Sequence, residues 1–69
     1  MKKTYAARGL LDFKMALHVG GAIIRIAFTG GYMTANGVVP AKYTTSSPAI
    51  QRMIEKSEHF RKGKIYETS

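Results

Sequence analysis

His18 and His59, with the acids Asp12, Glu55, Glu58 and Glu67, are the side chains of this sequence suited to proton transfer or metal binding. Such chemistry needs a nucleophile beside a base, a carboxylate pair in an apolar setting, or a metal with an open position. The spacing supplies none of them. The histidines are far apart, and no cysteine is present to complete a zinc site. Glu55 and Glu58 fall three residues apart beside Lys56 and Arg61, the pattern of a solvated helix face with compensating charges. No catalytic residue, metal site or cofactor is therefore expected, and the chain does not read as an enzyme.

Glycines raise a second chemistry, the cradling of phosphate. Gly20-Gly21, Gly30-Gly31 and Gly63-Lys64 are all present. A P-loop requires G-x-x-x-x-G-K-[ST] between a strand and a helix, and a dinucleotide fingerprint requires G-x-G-x-x-G in the same place. Here the glycine pairs fall between extended segments, where turn geometry is reason enough for them.

What remains is charge. Lys plus Arg number 11 against 4 Asp plus Glu, a formal charge of +7, which attracts polyanions or acidic protein surfaces. Lys2 and Lys3 in one segment and Arg61, Lys62 and Lys64 in another would form a single polyanion-contact patch if the two segments pair as adjacent edge strands. The aromatic residues are scattered along the chain rather than gathered in a base-stacking run. Nucleic-acid contact through this patch is accordingly expected to be weak, non-specific and sensitive to salt.

The elements that position these groups follow from periodicity. Leu11, Phe13, Met15, Leu17 and Val19 alternate with Asp12, Lys14 and His18, and after Gly20-Gly21 the alternation resumes with Ala22, Ile24, Ile26 and Phe28. This predicts a β-hairpin over about 11–29 with a two-residue primed turn. In that register Val19 opposes Ala22, Leu17 opposes Ile24, Met15 opposes Ile26 and Phe13 opposes Phe28, so one face is wholly apolar. The other face carries Ala16, His18, Ile23, Arg25 and Ala27. It is less polar than a water-facing sheet requires, and these five residues are the candidate protein interface.

Asn36-Gly37 predicts a minor hairpin between Tyr32–Ala35 and Val38–Lys42, with Pro40 confining it to an edge strand or a mobile loop. Ser46 or Ser47 as N-cap with Pro48 at the first helical position predicts a helix over 48–56. Its stripe of Ile50, Met53 and Ile54 is expected to cover the apolar hairpin face, with Gln51, Arg52, Glu55 and Lys56 turned away. Ser57–Phe60 either extends that helix or begins a second turn, and Gly63 stops it. Lys64–Glu67 and, more weakly, Lys3–Ala7 read as further edge strands. The sum is one small α+β domain over 1–69, an antiparallel sheet packed on one helix.

Sixty-nine residues bury only about 60% of their unfolded surface, and such chains usually add disulfides, a metal or a partner. Without cysteine, assembly is the remaining route. The longest apolar stretch, Ala22–Phe28, contains Arg25 and is far too short to span a bilayer. Arg8, Gly9 and Asp12 interrupt any leader-like run. No membrane contact or export signal is expected.

Between Tyr43 and Ile65 the chain reads Tyr43-Thr44-Thr45-Ser46-Ser47-Pro48-Ala49-Ile50-Gln51, then Ile54-Glu55, Ser57, Phe60 and Gly63-Lys64-Ile65. This resembles small structural proteins of tailed bacteriophages, in which a strand or hairpin precedes YxTxDPxIQxxIExSxxFxxGxI. Ser47 stands where that pattern more often has Asp, and either residue caps a helix. The resemblance covers about a third of the chain. It implies a virion component without enzyme activity, made in the host cytoplasm: a capsid-decorating, head-completion or tail-associated subunit. Its implied partners are other structural proteins of a large assembly, or further copies of itself. The alternative is a free-standing basic module that binds nucleic acid non-specifically, which uses the charge and leaves the semi-apolar hairpin face unexplained.

Overall fold

The computed structural model describes residues 1–68, the side chain of Val19 excepted, so the inward position expected of that side chain lies outside the described residues. Strands β2 (Phe13–Val19) and β3 (Ala22–Phe28) form the expected antiparallel hairpin. Its turn glycines, Gly20 and Gly21, have φ of 53° and 84°, the left-handed values that a type I′ turn demands at both central positions. Phe13 opposes Phe28, Met15 opposes Ile26 and Leu17 opposes Ile24. Met15, Leu17, Ile26 and Phe28 are buried on one side.

A second sheet has the order β6-β1-β7, all antiparallel, built from β1 (Lys3–Ala7), β6 (Ala41–Thr45) and β7 (Ile65–Glu67). This corrects the expectation that β1 is an edge. It is the central strand, with Tyr5 opposite both Tyr43 and Glu67, and Tyr5, Ala6 and Ala7 fully buried. Its sequence hides this, because Ala6 is small and apolar where the outward position of an alternating strand should be polar. The bridge between Thr29 and Lys42, with N–H to O distances of 3.0 and 2.8 Å, joins the hairpin's end to β6.

Strands β4 (Tyr32–Thr34) and β5 (Gly37–Val39) form the minor hairpin. Its loop is Ala35-Asn36 rather than Asn36-Gly37. Among the described residues only glycines have positive φ; Gly37 takes 134° at the start of β5, and Thr34 Oγ1 donates to the Gly37 carbonyl. Pro40 separates β5 from β6. Gly31, preceding β4, lies against backbone: a β-carbon there would sit 2.5 Å from the Leu11 carbonyl oxygen and 2.9 Å from the Ala41 nitrogen.

Helix α1 (Pro48–Lys56) begins at Ser47, whose side chain accepts from the Ile50 N–H, with Pro48 in the first turn. Ile54 is buried in a core it shares with hairpin residues and with Tyr5, Ala7, Ala41 and Ile65, while Ile50 and Met53 pack against that cluster. Arg52 and Lys56 face solvent as expected; Gln51 and Glu55 do not. Gln51 is buried and donates to the carbonyls of Thr45 and Met1, and Glu55 meets β1. The helix therefore rests its polar flank on β1 and β6. At Ser57, extended at ψ 154°, the chain leaves α1 and starts α2 (Glu58–Arg61), the second short turn.

Candidate interaction surfaces

The outer hairpin face is built by strand alternation alone. With Met15, Leu17, Ile26 and Phe28 committed to the core, the intervening residues must point the other way. Ala16, His18, Ile23, Arg25 and Ala27 are all exposed, Ile23 at 57%. Cross-strand register sets Lys14 opposite Ala27, Ala16 opposite Arg25 and His18 opposite Ile23. An open depression of about 420 Å³ is bordered by Lys14, Met15, Ala16, Arg25, Ile26 and Ala27. The two alanines leave low ground between the long Lys14 and Arg25 side chains.

The minor hairpin is a second exposed apolar surface, one that sequence reasoning treated as an edge or loop. Tyr32 and Met33 of β4 are exposed at 57% and 66%, and Val38 of β5 is exposed as well. A signal was present: residues 29–41 carry no charge at all, in a chain that is 22% charged.

The expected single basic patch is divided. The end segments do pair, but antiparallel: β1 and β7 set Tyr5 against Glu67 and Ala7 against Ile65. Lys2 and Lys3 therefore lie near one end of the sheet. At the other end the Arg8 N–H donates to the Lys64 carbonyl at 2.7 Å, beside the Gly63 turn, with Arg61 and Lys62 next in sequence. Lys3 is also spent on Glu55 (3.0 Å) and Glu67 (3.9 Å), and Lys62 on Glu58 (2.9 Å). The Lys64 ammonium lies 5.2 Å from the Phe13 ring centre. Arg8, which the sequence did not single out, donates from Nε to the Gly63 carbonyl and holds its guanidinium 4.7 Å from the Tyr66 ring centre.

Glu55 accepts from the Tyr5 hydroxyl at 2.6 Å and from Lys3 at 3.0 Å. The Tyr5 hydrogen bond, and then Lys3, hold its carboxyl below the usual range. Burial first, and the same carboxylate second, push the Tyr5 phenol well up. The hydrogen bond to Glu55 raises Lys3. These groups anchor α1 to the sheet. His59 sets its ring edge-on to Phe13 at 5.1 Å, and His18 is exposed on the hairpin. Among the described residues neither histidine joins an ion pair, and no three His, Asp or Glu side chains gather as metal ligands. No helix among them is long and apolar enough to cross a membrane.

Comparison with protein-family models, with curated proteins and with solved structures finds no match to this chain.

Proposed function

We propose that the chain is a structural subunit of a bacteriophage particle, a capsid-decorating, head-completion or tail-associated protein that works through protein–protein contacts and needs no cofactor. The observation that supports this most is the outer hairpin face, where Ile23, Ala16 and Ala27 lie exposed between Lys14, Arg25 and His18. An apolar centre with a charged rim is the anatomy of a protein interface. Tyr32, Met33 and Val38 on the minor hairpin supply a second contact of the kind that lone soluble domains seldom leave open. The partners are neighbouring structural proteins, with acidic groups meeting Lys14 and Arg25. Docking also removes the stability problem of so short a chain, because a partner that binds only the folded form stabilises it. The virion assignment draws on the resemblance between Tyr43 and Ile65 to small tailed-phage proteins.

The deciding experiment follows the chain through purification of intact particles from the host that makes it. A fixed copy number per particle, retained through a density gradient, is the expected result. Recovery only as a free protein, with none in the particles, overturns the proposal.

A further inference from the structure

The three-stranded sheet has an inner face, where Tyr5, Ala7, Ala41 and Ile65 join Ile54 in the core, and an outer face that carries the alternate residues. Alternation assigns Thr4 and Ala6, with Lys42 and Tyr66, to that outer side; Lys2 and Arg8 flank β1, and Arg8 reaches this side over the Tyr66 ring. Ala6 lies at its centre, fully buried between Lys42 on one neighbouring strand and the half-buried Tyr66 on the other. Lys2, Arg8 and Lys42 are exposed. No carboxylate from the three strands shares this side: Glu67 alternates to the inner one, where Lys3 meets it. The Arg8 guanidinium over the Tyr66 ring, at 4.7 Å, makes a stacking platform that no run of aromatics in the sequence announces.

We infer that this outer face binds single-stranded nucleic acid without regard to sequence. Lys2, Arg8 and Lys42 meet the phosphates, and a base stacks on the Tyr66–Arg8 pair, since an aromatic ring and a guanidinium plane both accept a base. The charge complementarity is one-sided, with three cations and no acid. An acidic protein segment would use the same cations and gain nothing from Tyr66. A duplex would gain little as well, because its bases are stacked on one another and the sheet offers no helix to enter a groove. This inference does not rest on the virion reading, which concerns the hairpins.

Fluorescence anisotropy with labelled oligothymidylate, oligouridylate, a DNA duplex and oligoglutamate tests it. The two single strands are expected to bind alike and better than the duplex or the peptide, with a log affinity against log salt slope of about −2 for three neutralised phosphates. Lys2→Ala and Lys42→Ala should each take about 0.7 from that slope. Tyr66→Leu should weaken binding about tenfold at unchanged slope, while Tyr66→Phe keeps the affinity. Lys56→Ala, on the exposed side of α1, should change neither. Should Tyr66→Leu fail to fold by circular dichroism, Arg8→Ala takes its place, with loss of both slope and affinity expected. Folded Lys42→Ala and Tyr66→Leu variants that bind as the parent does overturn the inference. Oligoglutamate bound as tightly as oligothymidylate overturns it too and gives the face to an acidic protein, and tighter binding of duplex than of single strands refutes the stacking.

Discussion

The Tyr5 hydroxyl donates to Glu55 Oε2 at 2.6 Å, and through that bond the central strand of the sheet holds the polar flank of its helix. Tyr5 is fully buried and Glu55 is not. Removing the hydroxyl while keeping the ring, in Tyr5→Phe, should therefore cost about 1.5 kcal/mol, the low end for a hydrogen bond to a charged acceptor, because the Glu55 side chain is 34% exposed and screened by water. Urea denaturation with an unchanged slope and a lowered midpoint is the expected reading.

The same bond gives stability a pH dependence at both ends. Glu55 is depressed by Tyr5 and then by Lys3, so its contribution is present above the unfolded value of about 4.3 and is lost as pH falls through the folded one. Tyr5 is raised, by burial first, so its contribution is complete below about pH 10 and is lost as pH rises toward the folded value. Thermal melts across acid pH should show a fall that the Glu55→Gln variant lacks. Ultraviolet titration should show a tyrosine, absent from Tyr5→Phe, that stays protonated well above the ordinary value of about 10.

Ile26 is buried opposite Met15. Ile26→Asp should abolish folding, because an unpaired buried carboxylate costs several kcal/mol out of a total of about 5–15. Circular dichroism without a cooperative melt is the expected result.

Ile23, three positions before Ile26 in β3 and so on the opposite face, should behave otherwise. Ile23→Lys is expected to keep the parent melting curve and to disappear from purified particles, since a charge would be buried at the contact. Normal copy number in particles would remove this face as the docking surface.

Ser57 closes one helix and opens the next. Its N–H and hydroxyl both donate to the Ile54 carbonyl, and its Oγ accepts from the Phe60 N–H. Ser57→Ala should therefore cost about 2 kcal/mol, against about 1 for Ser47→Ala, which removes a single cap. Gly31→Ala should cost about 1–3 kcal/mol, since the Leu11 backbone would have to retreat from the new methyl group. Paired thermal melts of the three variants check both.

Much of this was legible from local pattern. Period-two alternation around Gly20-Gly21 gives the hairpin and its register, and Ser47-Pro48 marks the start of α1. Both are decided by neighbours in sequence. The place of β1 is decided instead by Ala41–Thr45 and Ile65–Glu67, and five residues reading Lys-Thr-Tyr-Ala-Ala carry no periodic sign of it. Glu55 read as a solvated helix acid because its partners, Lys3 and Tyr5, lie about fifty residues away. Among the surfaces, the outer hairpin face follows from alternation and the Arg8–Tyr66 platform does not. Strand pairing alone brings those two residues together.

A central strand made from residues 3–7 has a consequence for the order of events during synthesis. The hairpin can close as soon as Phe28 has left the ribosome, but β1 has both neighbours only after Ile65 has emerged. Until then the nascent chain carries a finished hairpin without its full core and a β1 strand with at least one open edge, the condition that invites pairing between chains. Closing loops this long is slow relative to local contacts. Solubility of this protein at high expression is thus a race between completing β7 and meeting another unfinished copy, and lower temperature or slower initiation of synthesis should favour the first.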